Sequence, residues 1–256
     1  MELRSDQDSV GGVDDNNIQG TEATIGALGS GSDYTPFLQH LGVPSLDMGF
    51  GGDYGVYHSA FDSFYWMSHF GDPEFVYHVA AAQLWGTIAM RLADAASLPL
   101  NYSDYAAQVR EYFNDNVKVA KRRNLTGFDE KGMSDALDNF TKEAAAVERD
   151  KREALAELER IPAGATDRST RADARLRKLN DALVAAERAL TDNEGLRSRP
   201  WYKHQIYAPG FYTGYAALPL PDFRQALDDR NTVAARESLD RIVRALNRAT
   251  ETLRRR

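Results

Sequence analysis

The sequence predicts an α-rich chain of two dissimilar modules: a mixed first part with one short strand among helices, then a part that is mainly a helical bundle. Charge is the first reason. Residues 1–100 hold 13 acidic and 2 basic side chains, whereas residues 101–256 hold 25 acidic and 29 basic, an asymmetry expected of different modules. Glycine is the second, because Gly49, Gly51, Gly52 and Gly55 make a conformationally permissive loop in the first part. Periodicity is the third: apolar residues of the second part recur at spacings of three and four, the period of amphipathic helices.

Taken in order, residues 1–24 are acidic, lack the apolar core of a secretory signal, and read as a flexible lead-in. An intact protein can begin this way, and so can a chain whose upstream part is missing. The turn at Gly29, Ser30, Gly31 and Ser32 leads to Asp33 as an N-cap and a short helix carrying Phe37, Leu38 and Leu41. Residues 43–48 read as a short strand, and the glycine-rich loop after them ends at Val56, Tyr57 and His58. A helix follows across 61–69, closed by Gly71, Asp72 and Pro73. Residues 74–97 are helical and nearly apolar over 79–90, so this helix is expected to be buried in a core. Leu98, Pro99 and Leu100 break the chain and mark the module boundary.

Beyond the boundary, residues 103–120 form a helix followed by a basic turn at 121–124. Met133, Leu137, Phe140, Ala144 and Val147 draw one apolar stripe, which Leu155 and Leu158 resume. Ile161, Pro162, Ala163 and Gly164 interrupt it. A second stripe runs through Leu176, Leu179, Leu183, Ala186 and Leu190. Two such helices with a short break between them predict an antiparallel hairpin in a bundle. The loop over 193–220 carries Trp201, Tyr202, Tyr207, Phe211, Tyr212 and Tyr215, an aromatic load no plain linker needs. One last helix over 221–253 ends in Arg254, Arg255 and Arg256, cations well placed against a helix C-terminus.

Composition narrows the chemistry. At 256 residues, 43% hydrophobic and 27% charged, the chain is globular in character. It has no cysteine, which excludes disulfides, thiolate metal sites and a cysteine nucleophile, so any metal site must draw on His, Asp and Glu. The basic surplus is interleaved with acids and draws no nucleic-acid footprint. No apolar run reaches the ~18 residues that a membrane span needs. Of His40, His58, His69, His78 and His204, His58 stands out because it follows a glycine-rich loop at the entry to a helix, a place from which ligands are often presented. His40, His69 and His78 fall on predicted helices and read as structural or solvated, and His204 as an anchor for its loop or a subunit contact. Asp62, four residues after His58, is a carboxylate that could orient the region; as a first-turn acid it would equally support a helix N-terminus.

The stretches GSGSDYTPFLQHLGVPSL, YHSAFDSFYWMSHFGDPEFVYHVAAAQ, LADAASLPLNYSDYA and RPWYKHQIYAPGFYTGYAALP together resemble the C-terminal third of glutamate carboxypeptidase II and its relatives. The resemblance covers nearly everything after Ile25, and several separated motifs in one order make it specific. It implies that residues 25–98 are the end of an α/β zinc-exopeptidase core and that 99–256 form a helical, transferrin receptor-like dimerisation domain. It also implies a two-zinc peptidase that removes C-terminal residues, often glutamate, from peptides with a free C-terminus, and a homodimer formed through the helical domain. By its YHS motif, His58 takes the place of a zinc ligand and Tyr57 that of a substrate contact. Gly31 and Ser32, in the GSGSD turn, fall where the family lines its cleft.

This sequence departs from the family pattern in places. A lysine-tyrosine pair that binds substrate carboxylates falls on Gly214 and Tyr215, so only the tyrosine is kept. Two arginines of the mammalian enzyme fall on Asp47 and Gly49, which shifts the expectation away from acidic substrates. The remaining zinc ligands and the general-base glutamate come from upstream segments in the family. One histidine cannot hold two zincs, so the chain alone is expected to lack catalytic residues. Two functions follow. One is the C-terminal portion of a zinc carboxypeptidase; the other is a non-catalytic, receptor-like or dimerisation module of the same superfamily. Relatives are often secreted or membrane-tethered, with any such signal expected upstream.

Overall fold

Polar capping residues decide where the helices begin. In chain order these are α1 (Phe64–Trp66), α2 (Val76–Ala93), α3 (Tyr102–Arg122), α4 (Glu130–Glu159), α5 (Arg171–Ala189), α6 (Pro221–Asp228) and α7 (Thr232–Arg254), with π-helical segments at Pro36–His40 and Met67–Gly71. The structure is a computed structural model and describes residues 26–49, 55–160 and 171–256. The lead-in through residue 24, part of the glycine-rich loop and the break at Ile161–Pro162–Ala163–Gly164 lie outside the described residues. Asn101 caps α3 by accepting from the amides of Ser103 and Asp104, Asp129 caps α4 from Gly132, and Asn231 caps α7 from Ala234. Each cap satisfies donors that a helix start leaves open.

The chain divides into two units. In one, Gly26–Asp47 joins Ala96–Arg256; the other is formed by the described residues of Met48–Ala95. In the larger unit α7 packs against α4, α5 and α6, α3 packs against α4 and α6, and α4 against α5. The predicted stripes supply part of this core, with Met133, Leu137, Phe140 and Leu183 fully buried, and the last two helices supply more through Phe223, Leu227, Leu246 and Leu253. Burying each such side chain contributes about 1.5–3 kcal/mol. The single helix expected over 221–253 is two. Arg230 adopts a left-handed backbone (φ 55°) and Asn231 starts a new helix by capping it, so the axis breaks between α6 and α7.

The expected α/β core is not observed. Among the described residues the architecture is α-helical, with no strand or sheet; the only β-type pairings there are isolated bridges, Thr191 with His204, Leu196 with Arg199, and Pro209 with Ala217. Residues 43–48 have a strand-like pattern but no strand to pair with, and Pro44 removes one backbone donor.

In the smaller unit, Ser63 caps α1 by accepting from the Trp66 amide, and the helix runs on through Met67–Gly71. Asp72 then organises the start of α2, accepting from the amides of Val76 (2.9 Å) and His78 (3.0 Å) and from the His78 Nδ1–H (2.7 Å). The expectation that α2 is a buried helix is also corrected. None of its 18 residues is buried, and Val79, Trp85 and Met90 are exposed. An all-round apolar helix needs apolar layers on more than one side, and the described residues supply none that buries it.

Candidate functional site

The aromatic loop between α5 and α6 is held from inside by three residues, of which the sequence singles out only His204. Gln39 is fully buried. Its carbonyl accepts from the amides of Lys203 (2.7 Å) and His204 (3.1 Å), and its Nε2 donates to the Gly29 carbonyl. One glutamine therefore ties the GSGS turn, the short helix Pro36–His40 and the aromatic loop together. His204 is fully buried too; its Nδ1 accepts from the amides of Ile206 and Tyr207, and its Nε2–H donates to Glu187 Oε1 at 2.9 Å. The two accepted hydrogen bonds select the tautomer with the proton on Nε2. Tyr102 donates its hydroxyl to the other Glu187 oxygen, at 3.1 Å, and to the Leu183 carbonyl, at 2.9 Å. Burial, reinforced by the Glu187 charge, pushes the Tyr102 hydroxyl well above the usual phenol range, and burial does the same at Tyr105 and Tyr207. These phenols stay neutral and serve as apolar mass and edge-to-face partners; Tyr102 also donates, whereas the Tyr105 hydroxyl has no hydrogen-bond partner among the described residues.

Arg199 is the third. Its Nη1 donates to the carbonyls of Pro209 (2.7 Å) and Gly210 (3.3 Å), and its guanidinium lies 5.3 Å from the Tyr202 ring and 5.5 Å from that of Phe211. The tip of the loop is thereby held over the turn at 196–199.

Within this unit three of the sequence-selected residues come close together in the chain's path. The Ser30 amide donates to the Tyr215 carbonyl at 2.9 Å, joining the turn that carries Gly31 and Ser32 to the loop that carries Tyr215. Gly29 makes the approach possible, because a Cβ there would lie 1.8 Å from the Tyr215 carbonyl oxygen. Gly31 donates its amide to the Tyr34 hydroxyl (3.3 Å), and the Ser32 carbonyl accepts from Thr35. Gly31, Ser32, Gly214 and Tyr215 are all exposed.

Tyr57, His58 and Asp62 belong to the smaller unit, and all three are exposed. The Tyr57 ring stacks on His58 at 3.8 Å, and His58 has a left-handed backbone, φ 60°. Asp62 does not share a helix with His58, since Ser63 caps α1 and both residues precede it. Among the described residues no three His, Cys, Asp or Glu side chains gather to hold a metal ion. A catalytic zinc takes three protein ligands, so these residues do not by themselves fit a zinc centre. No described helix is long and apolar enough to cross a membrane.

Sequence reasoning selected His58 and Tyr215 but missed Gln39, Glu187 and Arg199. For Glu187 a signal existed, since it stands on the apolar stripe of α5 beside Leu183, Ala186 and Leu190. Gln39 and Arg199 gave none, because their roles depend on partners far along the chain.

Comparison with known proteins points one way. Residues 128–254 match the transferrin receptor-like dimerisation domain. The chain is 36% identical over 226 residues to the probable glutamate carboxypeptidase LAMP1 of Arabidopsis thaliana, covering 88% of this chain and 30% of that protein. It is 31% identical to the probable glutamate carboxypeptidase AMP1 of the same plant, over 99% of this chain and 35% of the relative. Aminopeptidase NAALADL1 of Rattus norvegicus is 32% identical over 75% of this chain and 25% of its own length. The chain is thus homologous to the glutamate carboxypeptidase and transferrin receptor-like family through a C-terminal dimerisation-like domain, and it spans about a third or less of these relatives.

Proposed function

We propose that this chain serves as a helical dimerisation module of a longer protein of that superfamily, receptor-like in role and not catalytic by itself. The observation that carries the reading is the match of 128–254 to a dimerisation domain, over residues that include α4, α5, α6 and α7 and most of the larger unit's core. The partner is a second copy of the chain. Sedimentation equilibrium over a range of concentrations tests it: a dimer is expected, and a monomer at every concentration overturns the proposal.

A second reading has one observation in its favour, the Ser30–Tyr215 hydrogen bond that joins two segments resembling a substrate cleft. In it the chain is the C-terminal portion of a zinc carboxypeptidase acting on peptides with a free C-terminus. His58 gives one imidazole to zinc, Tyr57, Gly31, Ser32 and Tyr215 face the peptide, and Asp62 orients the His58 turn. Zinc content and C-terminal hydrolysis, measured on this chain and on one extended through its upstream reading frame, separate the two. Zinc and activity in the extended chain alone support this reading; neither in both discards it.

A further inference from the structure

A cavity of about 120 Å³ lies under the loop tip, lined by Arg197, Ser198, Arg199, Phe211, Tyr212 and Asp222 among others. Its charges are unevenly matched. Arg197 pairs with Asp229 at 3.5 Å, and Asp222 accepts from the Arg197 amide at 2.6 Å and lies 3.8 Å from Arg241. Arg199 is different: it is only 9% exposed, yet its Nη1 reaches carbonyls and not a carboxylate, and its Nε has no hydrogen-bond partner among the described residues. Burial lowers its basicity from the ordinary value, and the Asp222 charge, which acts on it without forming an ion pair among the described residues, offsets only part of that. Buried charges are normally paired. The turn beside it is also strained, since Ser198 holds a left-handed backbone at φ 67°, which costs a residue with a side chain about 1 kcal/mol or more.

We propose that this cavity is a carboxylate-binding site in which the ligand's carboxylate pairs with the Arg199 guanidinium and its apolar body packs on Phe211 and Tyr212. The size admits a group no larger than a small organic acid or the last residue of a peptide. A guanidinium suits a carboxylate by its forked donors. Phe211 and Tyr212 are both exposed, so they can meet a ligand from solvent without unpacking the core. Asp222 is the anion's competitor for Arg199, but it is partly engaged by the Arg197 amide, and Asp229 faces the Arg197 guanidinium at 3.5 Å. The site needs neither zinc nor a dimer.

Titration of the intact chain with benzoate, acetate, and a short peptide with a free or an amidated C-terminus tests this, read by heteronuclear NMR at the Arg199 side chain and the backbone amides of 197–199 and 210–212. Saturable, localised shifts are expected with benzoate, and weaker ones with acetate. Shifts with the free peptide but not the amidated one identify a peptide terminus as a source; shifts with benzoate alone identify a free acid. Arg199→Lys should weaken benzoate about tenfold or more. Because that change also loosens the loop, Phe211→Ala gives a second reading that keeps the guanidinium: a melting temperature lowered less than by Arg199→Lys, benzoate weakened about two- to fivefold, and no remaining preference over acetate. No localised shift with any carboxylate, or equal affinity in both variants and the parent chain, overturns the proposal.

Discussion

The two units treat similar side chains in opposite ways. In the larger one Phe140, Leu137 and Leu246 are fully buried among α3, α4, α6 and α7, and the buried polar pair His204 and Glu187 bond to each other. In the smaller one α2 carries Val79, Leu84, Trp85 and Met90 with no residue buried. An amphipathic stripe can be completed by another stripe of the same chain, whereas an all-round apolar helix needs several layers that the described residues do not contain. The difference teaches that the stability of this chain resides in α3–α7.

The sharpest way to break that contrast is to truncate one aromatic in each unit. Phe140→Ala should cost about 3–5 kcal/mol by chemical denaturation, while Trp85→Ala should change the same transition by no more than about 0.5 kcal/mol. Equal losses would mean that α2 is packed as firmly as the bundle. Next in size, Glu187→Ala leaves His204 and Tyr102 without their shared buried acceptor and should cost about 2–3 kcal/mol. If the melting temperature does not move, the buried network is not what holds the aromatic loop. Gly29→Ala forces a Cβ against the Tyr215 carbonyl and should cost about 1–3 kcal/mol, with faster proteolysis at 210–216 than in the parent chain. An unchanged cleavage rate would show that the turn and loop are not coupled.

The smallest effect concerns the start of α2. Desolvation acts to raise the Asp72 carboxyl, but the hydrogen bonds from the His78 ring and from the His78 and Val76 amides outweigh it and hold the group below the usual carboxylate range. A carboxyl depressed in the folded state stabilises fully above its unfolded value of about 4 and loses that contribution as pH falls through the folded value. Protection of the amides at 76–78, taken relative to their intrinsic exchange rate at each pH, should therefore fall below pH ~4, and Asp72→Asn should remove that loss. Protection that stays constant with pH in the parent chain would rule the carboxylate out as the cap.

Much of the larger unit was legible because helices are local. The stripe from Met133 to Val147 and the stripe from Leu176 to Leu190 each lie within a few turns of what they organise. The α6–α7 break does not stand out in the sequence because Asp229 and Arg230 are not helix breakers, although Asn231 is of the residue type that caps a new helix. The expected strand at 43–48 does not form, because a strand exists only through a partner and a local segment cannot provide one. At the site, the motif residues His58 and Tyr215 and the loop anchor His204 are visible, but the other groups that hold the loop are not. Gln39 meets Gly29 and Lys203, and Arg199 meets Pro209 and Phe211, by contacts that no local pattern encodes.

Helix positions, the charge asymmetry and the chemistry excluded by the lack of cysteine follow from residue order and composition, because backbone hydrogen bonding and side-chain periodicity act over one or two turns. Which apolar helix is covered, which arginine is left without an anion, and which glycine must have no side chain were settled by tertiary packing. Burial and pairing are properties of neighbours in space, and those neighbours are supplied by segments far apart in the chain.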